Sequence, residues 1–284
     1  MFRTVSTVLT ACSIVLFASA PGWGDGSRGE AGSRTDSSPA VFVAHDYGFT
    51  GPDRIAAGVT TVQIVNRGHD VHHVQLVKLL QGKTPADFSA ALKTDPSRVP
   101  QWVKFMGGPN AVLPGSEAVA TMNLVEGNYL LICIIPDKTG VPHTALGMQK
   151  ALVVKGGKSA LVSEPKAGTT IMMRDFQFAL SQPMTAGAHT IGVMNHGTQP
   201  HEVVVVQLQP GASALDWVKA VESGAAGPPP GRPIGGVVGI ETGDHAFFTA
   251  QFEPGRYGLI CFFPDAATGQ PHFARGMTTE FTVK

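Results

Sequence analysis

The sequence predicts an all-β protein built as two tandem Greek-key β-sandwiches, each with one short helix in a long loop. Three observations carry that expectation. First, the chain repeats itself. Setting position n against n+129 aligns Asp46 with Asp175, Phe49 with Phe178, Asn66 with Asn195 and His72 with His201. A one-residue deletion then brings Gly107-Gly108 against Gly235-Gly236 and Cys133 against Cys261, and a one-residue insertion restores His143/His272 and Met148/Met277. Second, each repeat is made of short β-branched and apolar runs closed by turn residues. Third, only one stretch per repeat carries a convincing helical pattern.

Taken in order, residues 1–20 read as an export signal or N-terminal anchor. Arg3 supplies the positive end, and Val5 to Ala20 is mostly apolar and ends in Ala18-Ser19-Ala20. Leu9-Thr10-Ala11-Cys12 resembles a lipoprotein cleavage box, so cleavage, lipidation and retention as an anchor all stay open. Residues 21–39, rich in Gly, Ser, Asp and Arg, form a flexible linker with nothing to bury. The first sandwich is expected over 40–155, a polar linker over 156–168 and the second sandwich over 169–284. TTVQIVNRG and HTIGVMNHG are matching strands, followed by HHVQLVKL and HEVVVVQL, then EAVATMNL and HAFFTAQF. NYLLICII and RYGLICFF are apolar on both faces, as a strand inside a sandwich must be. PADFSAALK and SALDWVKAVE are the helices. GGPNAVLPG and SGAAGPPPGRPIGG, which follow them, read as loops.

Composition narrows the function. Charged residues are only 15% of the chain, with 21 Lys+Arg against 21 Asp+Glu, so no basic surplus points to nucleic acid. Membrane contact is expected only through the N-terminal segment or a lipid on it. The location is exported, periplasmic or extracellular. The oligomeric state is not legible.

The chemistry sits in two related stretches, YLLICIIPDKTGVPHTALGM and YGLICFFPDAATGQPHFARGM. The first reads C-x9-H-x4-M and the second C-x10-H-x4-M. Of ten histidines, only His72/His201 and His143/His272 recur in both halves. Cys12 lies in the leader, and the other two cysteines are counterparts of each other. Each repeat therefore keeps His, Cys, His, Met in that order. Two imidazoles and a thiolate with a long axial thioether define a type 1 copper centre used for electron transfer. His69, His73 and His196 lack counterparts and read as solvated. His73 is expected on the opposite face from His72, with Glu202 in its place in the second repeat.

At these residues, above all in PHTALGM and PHFARGM, the chain resembles the cupredoxin (blue copper) family over about all of Ala40 to Lys284. The resemblance implies two cupredoxin-like domains. It also implies copper held by His72, Cys133, His143 and Met148 in the first, and by His201, Cys261, His272 and Met277 in the second. The loop between Cys and the following His is longer than in many small members, through an added Asp-x-x-Gly turn. An electron carrier with a redox partner protein is the leading expectation.

Two further readings stay open: a metal-free or copper-buffering binding module, and a two-domain copper oxidoreductase. The second is disfavoured because no His-x-His pair is present, and the cysteines are flanked by Ile132 and Ile134 and by Ile260 and Phe262. A Cys133–Cys261 disulfide is a weaker rival, since it would join equivalent interior strands of separate domains.

Overall fold

The computed structural model describes residues 38–94, 99–156, 163–224 and 227–284. The expected export segment and all but the last two residues of the first linker lie outside them. In the first half the strands are Ala40–His45 (β1), Gly48–Thr50 (β2), Arg54–Ile55 (β3), Gly58–Asn66 (β4), Gln75–Leu79 (β5), Val103–Phe105 (β6), Glu117–Leu124 (β7), Gly127–Ile132 (β8) and Gln149–Val154 (β9), with helix α1 at Pro85–Thr94. In the second they are Thr169–Arg174 (β10), Gln177–Leu180 (β11), Gly187–Asn195 (β12), His201–Leu208 (β13), Gly231–Ile240 (β14), His245–Phe252 (β15), Gly255–Ile260 (β16) and Thr278–Val283 (β17), with helix α2 at Ala214–Ser223. Among the described residues no helix is long and apolar enough to cross a membrane.

Each half is a two-layer sandwich. In the first, β2-β1-β4-β7 faces β3-β9-β8-β5-β6; in the second, β11-β10-β12-β15 faces β14-β13-β16-β17. The first strand of each half pairs in parallel with the nine-residue strand that follows (β1 with β4, β10 with β12), which gives the expected Greek-key crossing. Strand β4 shows why the sequence folds this way: Val62, Ile64 and Asn66 are buried while the residues between them are not, a period of two. In β13, Val203 to Val206 are all buried because both faces are covered. Val203 and Val205 enter the main core, whereas Val204 and Val206 pack with Trp217 and Val218 of α2. That helix starts where Ser213 and Asp216 cap one another. Thr84 and Asp87 do the same at the start of α1.

One reading from the sequence is corrected here. Gly231–Ile240, most of whose first half was expected to be loop, is a ten-residue strand paired with β13. Its glycines mark close backbone approach rather than a turn. A Cβ at Gly236 would lie 2.0 Å from the Val203 carbonyl oxygen.

The two halves meet through equivalent segments. In the joint eight-stranded sheet, β7 pairs antiparallel with β15, and Ala120 faces Phe248, its own repeat counterpart 128 positions on. A second contact repeats the pattern. Pro109 bridges Val237, again its counterpart, with hydrogen bonds from Gly107 N to Gly239 O, Val238 N to Gly108 O and Asn110 N to Gly236 O. The contact is thus locally two-fold, as between identical subunits.

Gly108 and Gly236 occupy matching places in this contact. Both have positive φ (136° and 135°), and a Cβ at either would sit 2.0 Å from a carbonyl oxygen, that of Val74 or Val203. Gly108→Ala and Gly236→Ala are each predicted to lower stability by at least about 2 kcal/mol in urea unfolding. Gly168→Ala, with no positive φ and open space around it, should cost about 1 kcal/mol or less. Equal losses at the three positions would contradict this packing.

Candidate metal centre

The ligand candidates come from the same end of each sandwich. His72 precedes β5 and bridges Val112; His201 opens β13. Cys133 and Cys261 directly follow β8 and β16. The long loop then turns back. In the first half Asp137 accepts hydrogen bonds from the backbone N–H groups of Thr139 and Val141, and Pro136 bridges Pro142. Asp265 accepts from Gly269 N–H in the second half, where Pro264 bridges Pro271. The added turn thus closes on itself and returns the histidine to the strand end. His143 and His272 each begin a short 3-10 helix, His143–Leu146 and His272–Arg275, and Met148 and Met277 follow it. The backbone ties each set together: Cys133 N–H donates to Met148 O and Met148 N–H to His143 O, with the same two bonds linking Cys261, Met277 and His272.

The result is two compact clusters. His72, Cys133 and His143 form one and His201, Cys261 and His272 the other, each with its donor atoms within 4.8 Å of one another. The facing Nδ1 atoms are 3.1 Å apart in the first and 2.9 Å in the second. The sulfur lies 3.5 Å from His143 Nδ1 and 4.0 Å from His72 Nδ1, and in the second cluster 3.4 Å from His272 Nδ1. All six residues, and both methionines, are fully buried. Both cysteines are free thiols, which removes the Cys133–Cys261 disulfide.

Asp46 and Asp175, at equivalent repeat positions, decide how the first imidazole of each cluster is used. His72 Nε2 is 2.7 Å from Asp46 Oδ1, and His201 Nε2 is 2.9 Å from Asp175 Oδ1. The carboxylate accepts a hydrogen bond from Nε2–H, so Nδ1 turns its lone pair into the cluster. Burial works to raise the Asp46 carboxyl, but the hydrogen bonds it accepts from His69, His72 and Asp70 outweigh it and hold the group well below the usual range. Burial pushes all four imidazoles down: His72, His143 and His201 by direction, and His272 to about 4, with its neighbour His201 adding to the effect. Burial also pushes the Cys133 thiol up to about 12 and the Cys261 thiol in the same direction.

The second imidazole is left incomplete. Nε2 of His143 and of His272 is buried without a hydrogen-bond partner. An aromatic ring covers each. Tyr47 lies over His143 with ring centroids 4.6 Å apart, and its hydroxyl donates to Asp70 at 2.9 Å. Phe176, the counterpart of Tyr47, meets His272 edge-on at 5.3 Å and is itself covered by the Arg275 guanidinium at 4.1 Å. Arg275 in turn pairs with Asp265. A soft thiol, two imidazoles aimed at one point and no solvent is a donor set that fits a copper ion.

The sequence reading missed three things here. Asp46/Asp175 were visible as repeated positions, but no strand pattern says that a carboxylate meets a ring 26 residues on. Tyr47/Phe176 were visible only as a change of aromatic type. His73, expected to be solvated, is buried at 3% exposure. It does point away from the cluster: its Nε2 accepts from Ile134 N–H at 3.0 Å. His69 and His196 are exposed, as expected, and His69 Nδ1 lies 3.0 Å from Asp46.

With strand order, register and cluster in place, the fold is cupredoxin-like. No family model and no curated protein matches the sequence. Among solved structures, auracyanin from Roseiflexus castenholzii (the dithionite-reduced form) shares 24% identity, with 42% of this chain and 99% of that one covered and a TM-score of 0.29. A multicopper oxidase covers 86% of this chain and 88% of its own at 11% identity and a TM-score of 0.25. A blue copper oxidase from Nitrosomonas europaea covers 86% and 84% at 14% identity and a TM-score of 0.25.

Two outcomes follow from the geometry. In metal-free protein, Tyr47→Ala removes the ring over His143, and iodoacetamide should modify Cys133 several-fold faster while leaving the rate at Cys261 unchanged. Unchanged labelling of Cys133 would show that the ring excludes nothing. Lowered imidazole pKa values mean that the folded chain binds fewer protons than the unfolded one below the ordinary histidine value of 6.5. The imidazoles are therefore expected to lower the stability of the metal-free protein as pH drops from 6.5 towards about 4, as His272 resists protonation, partly opposed by the Glu202 carboxyl, which burial raises to about 7. Urea midpoints across the window, with His272→Gln giving a shallower slope, provide the check.

Proposed function

We propose that each half binds one copper ion in a type 1 arrangement and that the protein is an exported electron carrier. In this reading His72, Cys133, His143 and Met148 would hold the ion of the first half. His201, Cys261, His272 and Met277 do the same in the second. The observation that carries it is the convergence, twice in one chain, of one thiol and two Nδ1 atoms within 4.8 Å in a fully buried pocket. Copper bound there would supply a one-electron couple between Cu(I) and Cu(II). The residues do the rest: Asp46 and Asp175 orient one ring, the 3-10 helix carries the other, and Tyr47 and Phe176 keep water away. Uptake must also release protons, because both thiols are neutral in the buried metal-free site. A redox partner protein in the outer compartment completes the proposal.

The test is spectral. Copper added to purified protein should give an intense thiolate-to-copper absorption in the red and a type 1 spin-resonance signal. Cys133→Ser and Cys261→Ser should each remove one of two copper equivalents, and the double variant all colour. Asp46→Asn should weaken copper binding at the first site by roughly 10- to 100-fold. Colourless binding, or none, would favour the buffering or metal-free module. A second type of copper signal with turnover of nitrite or a phenol would make it an oxidoreductase instead.

A further inference from the structure

The residue that follows the first histidine of each cluster leads away from that cluster and towards the other half. His73 and Glu202 occupy equivalent places, and each accepts a hydrogen bond from the backbone N–H just after the cysteine. Ile134 N–H donates to His73 Nε2 at 3.0 Å, and Phe262 N–H donates to Glu202 Oε1 at 3.1 Å. Between them stands Asn110. Its Nδ2 donates to Glu202 Oε2 at 3.2 Å and to the Val203 carbonyl at 3.3 Å, and the same side chain is a polar neighbour of the buried His73 ring. All three side chains are buried, at 3%, 2% and 5% exposure for His73, Asn110 and Glu202.

With Glu202 ionised, the directions of these bonds follow from the groups themselves. Since His73 Nε2 accepts, the ring proton of neutral His73 sits on Nδ1 and must be donated. Both protons of the Asn110 amide are already committed, so its Oδ1 is the acceptor. Glu202 accepts at both oxygens. A line of buried polar side chains, His73, Asn110 and Glu202, therefore leads from the amide behind Cys133 to the amide behind Cys261. It crosses the contact between the halves beside its two-fold point at Pro109 and Val237. The two-fold match fails here, because the repeat counterpart of Asn110 is the apolar Val238. One side chain thus serves both sites.

We infer that Asn110 is a positioning residue that couples the two cysteine loops, so that a change behind one cysteine is felt behind the other. This goes beyond the copper reading and does not depend on it, since it concerns the metal-free chain. The carboxylate makes the prediction sharp. Glu202→Gln keeps the shape but turns one acceptor into a donor, which sets two donors against each other somewhere along the chain. If the Gln amide faces Asn110, that side chain must turn over, and His73 then loses its acceptor.

The experiment is amide hydrogen exchange by NMR on the full metal-free chain, read at Ile134 and Phe262. Glu202→Gln should raise exchange of the distant Ile134 amide by roughly 2-fold or more, the low end of the coupling between residues in one network. In an Asn110→Ala background the same substitution should no longer alter Ile134, though it should still alter Phe262. Ile134 unaffected by Glu202→Gln, or affected equally with and without Asn110, would overturn the coupling. Should Glu202→Gln unfold the protein, His73→Gln reads the link from the other end. It must then change exchange at Phe262 through Asn110, and an unmoved Phe262 amide would equally overturn the inference. Failure to bind copper with the coupling intact would count only against the metal reading.

Discussion

Two imidazoles and a thiol with no water among them are a costly thing to bury, and the rest of each half is built around bearing that cost. A polar group in an apolar interior needs a partner. The fold supplies one for the first ring through a carboxylate, while among the described residues the second ring's outer nitrogen has no hydrogen-bond partner. What remains is a pocket whose donors face each other rather than protein acceptors. The backbone ties among cysteine, histidine and methionine hold the donors in place before anything binds.

Much of this was legible in the residues. The repeat register placed eight candidate ligands, and six of them meet as two three-membered clusters. The alternation in β4 and the all-apolar runs near the cysteines gave the sandwich. What escaped were contacts between residues far apart in sequence. Asp46 reaching His72, Tyr47 covering His143 and Asn110 meeting Glu202 all depend on how strands end beside one another, which periodicity cannot report. The strand at Gly231–Ile240 was misread for a related reason. Glycine and proline there serve close backbone contact, while in sequence alone the same residues signal a turn.

The two centres are alike in their ligand sets and unlike in their surroundings. One ring is covered by a tyrosine fastened to a carboxylate, the other by a phenylalanine fastened under a guanidinium. Behind one cysteine sits a neutral imidazole, behind the other a carboxyl that burial raises to about 7. Polar groups this near a buried donor set shape its electronic environment. The two halves therefore offer different settings for the same chemistry.

The two-fold contact gives that difference its meaning. Separate identical chains meeting across such an axis must present the same residue from both sides, so a lone asparagine beside a valine counterpart is forbidden to them. Joining the copies in one polypeptide lifts the prohibition. Symmetry is kept where the backbones touch, at Pro109 with Val237 and Ala120 with Phe248, and abandoned one residue away. Within one polypeptide the two halves are free to differ where identical subunits could not.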